Sequence, residues 1–186
     1  MMRFDGAWSQ HPTSLASQTF SGCALRGADI FLTGTKLFRK TNQNLVEETV
    51  SDVLPPHQQW RGVMESGGEV FAFGTGFRVA QRKADGAWRV IRVLDPTDSY
   101  LFQAATALPG GDVLFVGFTD DGANPTNGTV VLLVLSFSTS EWLVSFVPSD
   151  FSAYAVAATS ATDFVLAGGH RNALGGTTGD LERWTR

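Results

Sequence analysis

Asp112-Val113-Leu114-Phe115-Val116-Gly117 sets one acid, three large apolar residues and one variable position before a closing glycine. The same pattern stands at Asp29-Ile30-Phe31-Leu32-Thr33-Gly34, Glu69-Val70-Phe71-Ala72-Phe73-Gly74 and Asp163-Phe164-Val165-Leu166-Ala167-Gly168. The copies begin 40, 43 and 51 residues apart, a near-regular spacing that marks a repeat architecture. A short run this apolar reads as a strand covered on both faces.

The flanks repeat as well. Ahead of each copy lies a strand and a tight turn, at 21–25, 61–65, 102–108 and 154–158, with Gly67-Gly68 and Gly110-Gly111 as hairpin signals. Behind each lies a third apolar stretch (36–39, 77–82, 130–137, 180–184), and behind three of them a fourth (45–50, 88–94, 142–147). No window shows a 3.6-residue period, so little helix is expected. Four antiparallel strands recurring at this period predict an all-β β-propeller with four four-stranded blades. The expected organisation is a single domain over 1–186, with blades at about 14–50, 60–95, 100–147 and 152–186.

The two ends match each other. Asp5-Gly6-Ala7-Trp8 is identical to Asp85-Gly86-Ala87-Trp88, the expected turn between the third and fourth strands of unit two. Unit four stops inside its third strand. Residues 1–12 are therefore expected to complete blade four, with Trp8 to Pro12 pairing beside Leu181 to Trp184 and removing a free sheet edge. The other reading is a four-blade slice of a larger ring. The chain is then a monomer if the ring closes, and otherwise a homodimer.

These blades resemble the broad group of kelch-like and Asp-box propeller repeats. Lys83-Ala84-Asp85-Gly86-Ala87-Trp88 and Arg3-Phe4-Asp5-Gly6-Ala7-Trp8 keep the Asp, Gly and Trp of the Asp-box and lack its Ser or Thr positions. The resemblance implies structural roles, the Asp bonding turn amides and the Trp packing between blades.

Composition narrows the function. Apolar residues make up 43% and charged residues 17%, too apolar a balance for a disordered chain. Lys and Arg total 14 against 18 Asp and Glu, so no surplus of cations exists to neutralise nucleic-acid phosphates. Cys23 is alone, which excludes an intrachain disulfide framework, and it reads as a buried inert thiol. The longest apolar run, Val130 to Leu135, falls far short of the roughly 20 residues a membrane helix needs. No secretory signal opens the chain, so a cytoplasmic location is expected if the chain is complete, and none is assigned if it is a fragment.

In an antiparallel blade the loops joining strands two and three share a face with the inter-blade connections. Two of the former are long, 118–129 and 169–179. The first carries Asp120, Asp121 and Asn124, whose spacing is not that of an EF-hand. The second carries His170 and Arg171, a pair able to hold an anion or supply a base. Asp95, Asp98 and Tyr100 join the same face from one inter-blade connection, Asp150 and Tyr154 from the next. No metal site and no cofactor is expected: no second His lies near His170, and Gly74-Thr75-Gly76 lacks the Lys-Ser/Thr of a phosphate loop. A rigid ring with one-sided insertions and no catalytic constellation points to a non-enzymatic binding or scaffold propeller for a protein or glycan partner. The alternative is a glycosidase-type enzyme with Asp95, Asp98 or Asp150 at the channel mouth.

Overall fold

Short apolar runs separated by glycine turns can bury themselves only as strands. The computed structural model describes residues 2–4, 8–10, 19–41, 44–50, 59–93, 101–119, 128–136, 139, 141–160, 162–171 and 177–185. A hairpin of β1 (Met2–Phe4) and β2 (Trp8–Gln10) precedes four antiparallel sheets. Blade one is β3 (Phe20–Arg26), β4 (Asp29–Gly34), β5 (Leu37–Lys40) and β6 (Leu45–Glu48). Blade two is β7 (Trp60–Ser66), β8 (Glu69–Gly74), β9 (Arg78–Arg82) and β10 (Trp88–Val93). Blade three is β11 (Leu101–Ala107), β12 (Val113–Thr119), β13 (Gly128–Ser136) and β14 (Glu141–Ser149). Blade four has three strands, β15 (Phe151–Ser160), β16 (Asp163–Arg171) and β17 (Thr177–Thr185). The hexapeptides form the second strands, and the whole is an all-β propeller of four blades. The first strands lie side by side, β7 against β3 and β11, and β11 against β15.

The core is divided among the gaps between blades. Phe31 and Leu37 of blade one meet Trp60, Val63, Val70 and Ala72 of blade two. Phe71, Phe73 and Val79 of blade two meet Phe102, Val113 and Phe115 of blade three. Leu114, Val116 and Leu132 of blade three meet Phe151, Phe164 and Leu166 of blade four. Alternate residues of each second strand thus serve opposite gaps, as the two-residue period of a strand dictates. Trp88 is buried in the first gap, edge-on to Phe31 at 6.0 Å, and its Nε1 donates to Glu48 Oε2 at 3.0 Å. Asp85 Oδ1 accepts the Ala87 amide at 2.9 Å, the turn bond expected of it. Asp5 lies outside the described residues.

The closing glycines do a different job from the turn glycines. Gly34, Gly74, Gly117 and Gly168 pair with Phe20, Trp60, Phe102 and Ala153, each at a β-bulge in the first strand. A Cβ at any of the four would come within 3.0 Å of a backbone carbonyl oxygen, that of Thr19, Gln59, Leu101 or Ser152, in the first strand or just before it. None is among the glycines of positive φ, which include Gly67, Gly68, Gly110 and Gly111 in the hairpin turns. The repeat therefore ends in glycine because the bulged backbone approaches too closely for any side chain.

Two expectations are corrected. Trp8 does not pair beside Leu181: β2 pairs with β1, Phe4 opposite Trp8, while β17 pairs only with β16 among the described strands. Among the described residues, no packing like that of β3 on β7 joins blade four to blade one. Cys23 is exposed rather than buried, because it faces away from blade two on a flank that no preceding blade covers.

Gly117→Ala is expected to lower the unfolding free energy by about 1–3 kcal/mol, the cost of forced overpacking. Gly179→Ala, whose nearest atom would be at 4.0 Å, should change it by less than about 0.5 kcal/mol. Urea denaturation of both variants checks the contrast.

Candidate functional site

His170 and Arg171 are the last two residues of β16, not loop residues, because the ladder runs on through His170–Thr178 and Arg171–Thr177. The strand's two-residue period sets His170 on the same side as Leu166 and Phe164, toward blade three. Across the ladder, Asp180 and Glu182 of β17 occupy that side too. Asp150, in the bend between β14 and β15, reaches the ring from the inter-blade connection.

The result is one imidazole among three carboxylates. His170 Nδ1 lies 2.9 Å from Asp150 Oδ1. Its Nε2 lies 3.2 Å from Glu182 Oε1 and 3.6 Å from Asp180 Oδ2. The ring sits edge-to-face on Phe151, centroids 5.3 Å apart. Glu182 is held in turn by Trp184, whose Nε1 donates to Oε2 at 2.8 Å. The hydrogen bond to Asp150 first, and then the three negative charges, raise the His170 pKa above its ordinary 6.5. With both nitrogens facing acceptors, the ring is best satisfied as an imidazolium donating twice. Among the described residues no group of three or more His, Cys, Asp or Glu is set to hold a metal ion.

Of the residues singled out in the sequence, the structure brings together His170 and Asp150. Arg171 follows in the same strand. Asp95, Asp98, Tyr100, Asp120, Asp121 and Asn124 lie outside the described residues. Tyr154 is half-exposed in β15, edge-on to Phe118 at 5.6 Å. Asp180 and Glu182 are missed in the sequence reading, where 180–184 stands only as a third apolar stretch. The signal was present in the alternation Thr178, Asp180, Glu182, Trp184, which puts them on one face.

A second concavity opens on the opposite, hairpin-turn side, between blades two and three. It has a volume of about 310 Å³ and is lined by Glu69, Gln81, Lys83, Ile91, Leu135, Ser136 and Trp142. Lys83 donates to Gln81, and Gln81 to Glu69, so its polar wall is internally paired.

No family model matches the chain, and no curated relative matches it. Among solved structures, the extracellular domain of a hybrid two-component system from B. thetaiotaomicron superposes with a TM-score of 0.68 at 13% identity. The match covers 96% of this chain and 22% of that one, so this chain spans under a quarter of that neighbour's length. A structure described as YCF48 bound to D1 peptide matches at a TM-score of 0.46 and 10% identity, over 87% of this chain and 64% of that one. A hypothetical protein from Leishmania major matches at 0.45 and 12%, over 88% and 66%. At 13% identity the first of these likenesses shows the fold alone.

The His170 imidazole is expected to titrate above 6.5, and Asp150→Asn to bring its pKa down, as read from its ring proton shifts by NMR. A pKa raised by folding stabilises fully below the unfolded value and loses that contribution as pH rises through the folded one. The stability gap between wild type and Asp150→Asn should therefore be widest near pH 6 and shrink toward pH 9.

Proposed function

We propose that this chain is a non-enzymatic binding or scaffold propeller whose partner docks on the face carrying His170. The observation behind this reading is the carboxylate excess there. Asp150, Asp180 and Glu182 surround one histidine, so the cluster stays net negative even with the ring protonated. Of a protein or a glycan partner, that charge favours a protein segment carrying Lys or Arg, drawn in by complementary potential. A rigid repeat scaffold with binding groups at strand ends and loops of one face suits such a role. The turn bond of Asp85 and the inter-blade packing of Trp88 support reading the blades as Asp-box-like. The glycosidase alternative gains no specific support. Of Asp95, Asp98 and Asp150 only the last is among the described residues, and its Oδ1 is engaged by His170.

A fluorescent Arg/Lys-rich peptide and an acidic control, titrated by anisotropy, test the reading. Asp180→Asn with Glu182→Gln should weaken the basic peptide about 2- to 10-fold, the worth of two part-exposed charges, and the binding should fade with salt. Binding unaffected by the double substitution, or stronger for the acidic peptide, would overturn the proposal.

A further inference from the structure

The blades meet their neighbours through the same ladder positions, and the two ends of the array leave several of those positions exposed. Leu37, Val79 and Leu132 hold one place in the third strand, paired with Thr33, Phe73 and Val116 of the second. Each is at most 5% exposed, in the gap shared with the following blade. Leu181, paired with Ala167, holds that place in blade four and is 69% exposed. Val165 and Ala167 beside it are half-buried, while their counterparts Phe31, Phe71, Leu114 and Thr33, Phe73, Val116 are buried.

The opposite flank shows a deficit at three positions, while Leu32 and Phe38 on the same flank are buried. The first-strand residue opposite the closing glycine is Trp60, Phe102 or Ala153 in blades two to four, each at most 5% exposed. In blade one it is Phe20, 37% exposed. Ile30 is half-buried where Val70, Val113 and Phe164 are buried. Cys23 is exposed at the place where Val63 packs into the first gap.

We propose that Phe20, Cys23 and Ile30 of one copy seat on Val165, Ala167 and Leu181 of a second, and that two copies close a two-fold ring of eight blades. One chain carries both halves of an interface that it already builds three times, and carries each unpaired half once. Two copies therefore satisfy both junctions, the closed outcome of a head-to-tail contact. Eight blades lies within the usual range of four to eight. The side chains suit the junction. Thr33 and Leu37 share the first gap with the large Trp60, and Ala167 and Leu181 would receive Phe20 in the same way.

Sedimentation equilibrium of the 186-residue chain is expected to give twice the 20.0 kDa chain mass. A mass of 20.0 kDa at every concentration, or a series growing with concentration, would overturn the proposal. Leu181→Asp, a change at an exposed position, should shift the protein to monomer with its far-ultraviolet spectrum unchanged. The thiol of Cys23 supplies a readout on the wild type itself. Its reaction with an aromatic disulfide should slow about tenfold or more as concentration rises into the dimer range, since access controls thiol reactivity. A rate constant independent of concentration contradicts the model.

Discussion

A blade of this protein is apolar on both faces and so cannot be stable alone. Val70 and Ala72 point one way from their strand, Phe71 and Phe73 the other, and all four are buried. Fully burying one such side chain is worth about 1.5–3 kcal/mol, and each neighbour supplies that for one face only. Stability is therefore a property of the gaps rather than of the sheets, as in other repeat arrays. Polar groups follow the same logic. Glu48 of blade one accepts from Arg39 at 2.5 Å and from Trp88 of blade two, and lies 3.5 Å from Arg82, whose guanidinium stands over the Phe31 ring. This ionic group links one blade to the next.

Much of this was legible in the residues. The acid-apolar-glycine hexapeptide located every second strand, and Gly67-Gly68 and Gly110-Gly111 located two hairpin turns. The reason for the closing glycine was not legible, because a bulge arises from pairing between strands and leaves no mark on the hexapeptide itself. Closure failed for a related reason. The identity of Asp5-Gly6-Ala7-Trp8 with Asp85-Gly86-Ala87-Trp88 is a local likeness of sequence, but the partner of a strand is a tertiary choice, and β2 found a partner in β1. Cys23 reads as buried in the sequence, whereas its burial depends on whether a blade stands in front.

The site shows the same division. His170 and Asp150 were both noticed in the sequence, on different segments, and only the register of β16 against β17 adds Asp180 and Glu182 to them. Once assembled, the group has a single chemical sense. A histidine whose two nitrogens both face carboxylates is a proton holder and a charge centre. The cluster lies on the side of blade four that meets blade three, away from the uncovered flank of Leu181. Binding at the one and assembly through the other can coexist.

The central claim is that the flanks of blades one and four are unfinished halves of a fourth gap, satisfied by another copy. The most direct test is the dependence of thermal unfolding on protein concentration. Where folding and association are coupled, mass action raises the midpoint with concentration. The account predicts a midpoint that climbs steadily across a hundredfold concentration range in the wild type and stays flat in Leu181→Asp. A wild-type midpoint independent of concentration would contradict it.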